Sequence, residues 1–172
     1  GCKEVLGRLQ DFGLASKGPM GPVMKAFEYI GTAQVAKSAE QARSMGFIGP
    51  NDRITMNRDR LLADAKARVI ELSEDYEPPE PRNYSLPGPT GMAGLQLALN
   101  DLALSGMATP HDVVVATALA EILSGGDTDV TESLEEDDIL AMEKSAIARL
   151  GRHPDTLDRM QHMLETGKPL RN

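Results

Sequence analysis

Residues 77–89, Glu-Pro-Pro-Glu-Pro-Arg-Asn-Tyr-Ser-Leu-Pro-Gly-Pro, hold five of the chain's eleven prolines. Each proline fixes its own φ and removes a backbone donor, so neither a helix nor a central strand can run through such a segment. The chain is therefore expected to fold as a segment 1–76, a Pro-rich strap 77–89, and a segment 90–172. Helices separated by Gly and Pro fill both flanks. Val5, Leu6, Leu9 and Phe12 repeat at helical spacing before Gly13, and Val23, Ala26, Phe27 and Ile30 do so before Gly31. Lys17-Gly-Pro-Met-Gly-Pro22 between them reads as a loop. Ser38-Ala-Glu-Gln41 has the spacing of a capping box for a short helix ending at Gly46.

A longer helix is expected over 57–73, with Leu61, Leu62, Ala65, Val69 and Leu72 as its stripe and an Asp64–Arg68 pair on its surface. Leu95, Leu97, Leu99, Leu102 and Leu104 cover more than one face of the next helix, which predicts a buried one. Thr109-Pro110 starts another, ended by Gly125-Gly126. Ser133-Leu-Glu-Glu136 has the spacing of a second capping box, for a helix reaching Gly151, and a last helix follows Pro154 and stops at Gly167. Met160 and Met163 on that helix are expected in the core. Phe47-Ile48 and Arg53-Ile54-Thr55 are the only strand-like fragments. The fold class is mainly α, with at most one or two very short strands.

Composition narrows the chemistry. Three Phe, three Tyr and no Trp in 172 residues leave an aliphatic core and no aromatic platform on which bases would stack. The net charge of −8 argues further against nucleic acid as a partner. The charge is local, however. Asp127, Asp129, Glu132, Glu135, Glu136, Asp137 and Asp138 crowd twelve residues without a Lys or Arg, and the rest of the chain is within one charge of neutral. From Lys144 onward six cations outnumber three acids. Val113–Ala120 is the longest small or apolar run, far short of the roughly 20 residues that span a bilayer, so no transmembrane segment is expected. The N-terminal residues have no apolar run or cleavage signature of a signal peptide. A single cysteine, Cys2, suits a cytoplasmic setting.

No complete catalytic or cofactor constellation emerges. His111, His153 and His162 lack paired-ligand spacing, and no metal site is expected. The acidic run lacks the later ligands and central Gly of a calcium loop. Gly18-Pro-Met-Gly21 has neither a Walker Lys-Ser/Thr nor dinucleotide-binding spacing. Cys2 lies beside Lys3 at a helix start but has no His partner, and is read as a free structural thiol.

Three strings carry a resemblance. Gly1-Cys-Lys-Glu-Val-Leu-Gly-Arg8, Ala26-Phe-Glu-Tyr-Ile30 and Val35-Ala-Lys-Ser-Ala-Glu-Gln-Ala-Arg-Ser-Met-Gly-Phe-Ile48 resemble the back half of an enoyl-CoA hydratase, or crotonase-like, domain, with Ser38, Ala39, Ala42 and Gly46 at the pattern positions. Residues 52–66, Asp-Arg-Ile-Thr-Met-Asn-Arg-Asp-Arg-Leu-Leu-Ala-Asp-Ala-Lys, and the ending Gln161-His-Met-Leu-Glu-Thr-Gly-Lys-Pro-Leu-Arg-Asn172 look like bacterial multifunctional 3-hydroxyacyl-CoA dehydrogenases of fatty-acid β-oxidation. The resemblance implies the helical C-terminal part of a crotonase-like domain plus extra helices. It also implies a larger parent enzyme that uses NAD and acyl-CoA.

In that family two glutamates act on water and two backbone N–H groups hold the thioester enolate, and these groups precede the segment that Gly1–Arg8 resembles. The chain alone is thus expected to hold no catalytic or cofactor-binding residue, and Glu4 and Glu28 are not promoted to that role. It is expected instead to cover the acyl-CoA site or pack subunits, the latter as a homo-oligomer, with Lys168 and Arg171 approaching the CoA phosphates. The rival expectation is a non-enzymatic helical adaptor or oligomerisation module.

Overall fold

The computed structural model describes residues 1–13 and 18–172. It is mainly helical, as expected, with two short strands among the described residues. The chain forms two compact units, one made of 1–35 and 82–172 and the other of 36–81. The segment expected over 1–76 thus supplies its first two helices to one unit and the remainder to the other.

The larger unit is arranged around a helix that buries most of its C-terminal half. Helix α1 (Cys2–Asp11), α2 (Met20–Gly31), α5 (Gly88–Leu104), α6 (Pro110–Ser124), α7 (Glu136–Leu150) and α8 (Pro154–Thr166) belong to it. Helix α6 packs on α1, α2, α5 and α7. Its Ala118, Leu119, Ala120, Ile122 and Leu123 are buried, together with Leu6 and Leu9 of α1, Val23 and Ala26 of α2, Leu95 and Leu99 of α5, and Ile139 and Ala146 of α7. Small residues on α6 and α7 let helix backbones approach closely, while the leucines fill the spaces between them.

Strands β1 (Asn83–Ser85) and β2 (Ser133–Glu135) pair antiparallel with Tyr84 opposite Leu134. Tyr84 is 1% exposed, and its hydroxyl reaches the Lys3 carbonyl at 3.5 Å. Lys3 ties α1 to α7, with its backbone N–H on Glu143 at 2.8 Å and its ammonium on Glu136 at 3.1 Å.

The strands lie elsewhere than expected. Phe47-Ile48 and Arg53–Thr55 form none, whereas Tyr84 in the Pro-rich strap and Leu134 in the acidic run each place one apolar side chain inward between polar neighbours. Ser133 is consequently a strand residue and not a helix cap. The capping box of α7 falls two residues later: Asp138 accepts from the Glu135 N–H at 2.9 Å, and the Glu135 side chain accepts from the Asp138 N–H. Helix α2 begins at Met20, earlier than the Gly and Pro content suggests, because Pro22 falls in the first turn where a backbone N–H has no helical partner to lose. Lys17, the first residue of the expected loop, lies outside the described residues.

In the smaller unit α3 (Ala39–Ser44) precedes a 3₁₀ turn (Arg58–Arg60) and α4 (Leu61–Ser73). Ser38 caps α3 as expected, its hydroxyl accepting from the Gln41 N–H at 3.1 Å. The Gln41 side chain reaches one residue further back than a capping box requires and accepts from the Lys37 N–H at 2.7 Å. No residue of α4 is buried, and Asp64 pairs with Arg60 at 3.3 Å while Arg68 pairs with Glu71 at 2.7 Å. The Asp64–Arg68 pair predicted from i,i+4 spacing does not form. Helix α5 also departs from its reading, since Leu95 and Leu99 are buried but Leu97 and Leu104 face solvent. On α8 Met160 and Met163 are about half exposed and lie outside the core.

Helix α6 starts as its sequence indicates. Thr109 accepts from the Asp112 N–H, and Asp112 accepts from the Thr109 N–H at 2.9 Å. Arg159 of α8 closes on this cap, with Nη2 2.8 Å from Asp112 Oδ1 and 3.2 Å from Thr109 Oγ1, and Nε 2.7 Å from Asn172 Oδ1. Burial alone would raise the Asp112 pKa. Hydrogen bonds from the Thr109 backbone and hydroxyl, and then from Arg159, outweigh it and bring the carboxyl from 3.8 down to about 2.

Two outcomes follow for stability. A depressed carboxyl stabilises the fold at pH values above its unfolded pKa and loses that contribution as the pH falls through the folded one. Asp112→Asn is therefore expected to cost about 1 kcal/mol at neutral pH after allowance for solvent screening, with the difference from the parent protein closing between about pH 4 and pH 2. Urea midpoints of both proteins across that range check it. Gly88 has φ +56°, and a Cβ there would collide with the Thr128 carbonyl oxygen. Gly88→Ala should cost about 2 kcal/mol or more, read as a lower urea midpoint at unchanged slope.

Candidate functional site

Between α2, α5, α6 and α7 the helices do not close completely. A cavity of about 1200 Å³ remains within the larger unit. Met20, Met24 and Phe27 enter it from α2, Leu99 and Leu102 from α5, Val115 and Leu119 from α6, and Ile147 and Leu150 from α7. The α2 residues share a face because they stand four and three apart, and the unbranched methionines can adapt to what they meet. Its volume slightly exceeds the upper end of the range usual for small-molecule sites.

Polar groups stand at only a few points of the cavity lining. Lys25 and Glu28 pair at 2.9 Å along α2. Asp112, Arg159 and Arg171 form a second group. Arg159 is committed to Asp112 and to Asn172. Arg171 is held more loosely, with Nη2 2.9 Å from the Met107 carbonyl and 3.6 Å from Asp112 Oδ2, and its side chain is 66% exposed. It leaves part of its planar fork of donors facing outward.

Of the two cations expected to meet phosphates, Arg171 lines the cavity and Lys168 does not. Lys168 is exposed just beyond the left-handed Gly167 that ends α8, and its ammonium makes no ion pair among the described residues. Cys2 borders the cavity. Burial, and then the Glu143 carboxylate, push its thiol pKa up, so the neighbouring Lys3 and helix start do not activate it.

A second cluster brings together residues that the sequence separates. His111 in the first turn of α6 is 1% exposed. Its Nε2 lies 2.8 Å from Thr156 Oγ1, and its ring centroid lies 4.6 Å from that of His153, the N-cap of α8. Asp155 Oδ2 stands 3.8 Å from His111 Nδ1 and 3.9 Å from His153 Nδ1. Burial, then the neighbouring Arg159 and His153, push the His111 pKa down and keep the ring neutral near pH 7. Forty-one residues of sequence between the two histidines hide this pairing, and only the helix-start signals at Thr109-Pro110 and His153-Pro154 hint that both rings sit at helix N-termini. His162 is half-buried on α8.

A nicotinamide cofactor finds no fitting site in these residues. The described strands are three residues long and antiparallel, and no parallel pair with a helical crossover builds the crevice in which a dinucleotide binds. No helix among the described residues is long and apolar enough to cross a membrane.

No protein-family model matches the chain, and no solved structure does. The chain is similar to a "Probable 3-hydroxyacyl-CoA dehydrogenase" of Bacillus subtilis (strain 168), with 39% identity over 155 residues that make up 90% of this chain. Those residues amount to 20% of the relative, so the chain spans about a fifth of the length of the curated protein it matches.

Proposed function

We propose that the chain is the C-terminal part of a fatty-acid β-oxidation enzyme that combines NAD-dependent 3-hydroxyacyl-CoA dehydrogenase and enoyl-CoA hydratase-like portions. In that enzyme it covers the acyl-CoA site or packs subunits, and alone it is inert. The observation that carries this reading is the apolar cavity with Arg171 at its lining, in a chain that matches a fifth of a protein named as a 3-hydroxyacyl-CoA dehydrogenase. A thioester with a long hydrocarbon tail and a phosphorylated head needs an apolar channel and a cation some distance from it. Arg171 supplies a fork matched to phosphate oxygens, and Lys168 a compact point charge nearby in sequence.

The packing role draws support from another quarter. Leu62 and Val69 of α4 and Leu164 of α8 are more than half exposed, which fits surfaces that meet the remainder of the parent enzyme or a second copy in a homo-oligomer. The nicotinamide cofactor belongs to the remainder of the whole enzyme, which is placed in the cytoplasm. The crotonase-like ancestry of 1–76, the strap 77–89 and the added segment 90–172 complete the proposal.

Two measurements test it. In the full-length enzyme Arg171→Ala and Lys168→Ala should each raise the acyl-CoA KM several-fold at low salt with kcat little changed, since removing a contact made equally in ground and transition states acts on binding alone. Unchanged KM values in both variants remove the phosphate role. The purified 172-residue chain should not hydrate crotonyl-CoA, followed by loss of its ultraviolet absorbance, and appreciable turnover would overturn the claim that the chain alone is inert.

A further inference from the structure

The His111 ring is anchored through one nitrogen. Its Nε2 faces the Thr156 hydroxyl at 2.8 Å, and in the tautomer that donates there the Nδ1 lone pair carries no proton. That Nδ1 is buried and has no hydrogen-bond partner among the described residues. Asp155 Oδ2, at 3.8 Å, is beyond hydrogen-bond range and is itself an acceptor. A buried acceptor left without a donor is costly, and the groups nearest to it are another imidazole and a carboxylate.

We propose that His111 Nδ1, His153 and Asp155 form a site for a borderline divalent transition-metal ion, with Zn²⁺ as the ion the donors suit best. One ligand atom from each residue lies within 4.8 Å of the others. Two imidazole nitrogens and one carboxylate oxygen favour zinc and its neighbours over Mg²⁺ or Ca²⁺, which take oxygen ligands. Three protein ligands leave one tetrahedral position for water, and the partial exposure of His153 and Asp155 gives that water access.

The surroundings are consistent with this use. A ligating histidine ordinarily donates its other ring N–H to a fixed acceptor, and Thr156 occupies that place. His111 cannot move far within its packing, so closure to bonding distance falls to His153 and Asp155, the two outer groups. The ion would replace the 3.3 Å contact from the Asp155 N–H to His153 Nδ1. The positive ends of α6 and α8 oppose a cation at this point, and the Asp155 carboxylate offsets them. Arg159, a guanidinium that disfavours positive charge at His111, is paired with Asp112 at 2.8 Å, and that ion pair reduces its opposition to a bound cation. A bound ion would pin the turn between α7 and α8 to the start of α6.

The metal-stripped 172-residue chain, titrated with Zn²⁺ by calorimetry and with Co²⁺ by visible absorption, tests the site. One equivalent should bind, raise the melting temperature and give the intense Co²⁺ bands of tetrahedral coordination. His153→Ala and Asp155→Ala, both at part-exposed positions, should each weaken binding by at least about tenfold, and His153→Asn, which keeps a side-chain acceptor for the α8 cap, should do the same with a metal-free melting temperature near that of the parent. Cys2→Ser and His162→Ala should bind as the parent does. The proposal is overturned by an absence of saturable binding, by binding that survives loss of both His153 and Asp155, or by binding lost in Cys2→Ser or His162→Ala.

Discussion

Burial of the aliphatic C-terminal half of α6 is the constraint on which the larger unit depends. Four helices meet it, and among them only α2 carries aromatic side chains, Phe27 and Tyr29; the other buried apolar side chains of these helices are chiefly Leu, Ile, Val and Ala. Such a core closes only where small and branched residues alternate at the right places. Around Met20 and Met24 of α2, Leu102 of α5 and Ile147 and Leu150 of α7 it stays open, and the cavity is the result. The composition that rules out base-stacking thus also leaves an apolar void unfilled.

The termini of α6 are secured by different means, and this bears on where the functional groups lie. Its C-terminal end stops at Gly125, whose left-handed backbone satisfies the last carbonyls locally. Its N-terminal end is tied to α8 by the Thr109, Asp112, Arg159 and Asn172 network. That network brings the basic end of the chain back onto the cavity and sets His111 beside the first turn of α8. Arg171 stands at the cavity because Arg159 and Asn172 hold the chain end there, with Asn172 donating to the Asp155 carbonyl at 3.1 Å. A single charge-assisted cap therefore positions both Arg171 and the histidine cluster.

The elements that sequence disclosed were those with local signals. The caps at Thr109 and Ser38 and the stops at Gly125 and Gly167 each involve residues within four of one another, and each is found in the structure, although the Gln41 side chain of the expected box bonds the Lys37 N–H and not that of Ser38. What eluded the sequence was non-local. Tyr84 and Leu134 pair across fifty residues, and neither three-residue strand has a period long enough to read. Pattern also overstated burial: the leucines of α5 and the methionines of α8 recur at core-like spacing, yet Leu97, Leu104, Met160 and Met163 are exposed. Periodicity reports that a face is apolar without saying that anything covers it.

The same distinction separates the legible from the illegible in the site. Lys168 is the cation that the resemblance puts forward first and Arg171 its companion, yet the fold places Arg171 at the cavity and Lys168 in solvent. Charge behaves likewise. The acidic run that dominates the net charge is spent on the α7 capping box and on the Lys3–Glu136 tie, as well as on solvated loop positions. It contributes nothing to the cavity lining, whose charged groups are two acids, Glu28 and Asp112, against Lys25, Arg159 and Arg171. An acidic chain thus carries a single net positive charge on this lining, and the sign of the whole molecule does not set the sign at the cavity.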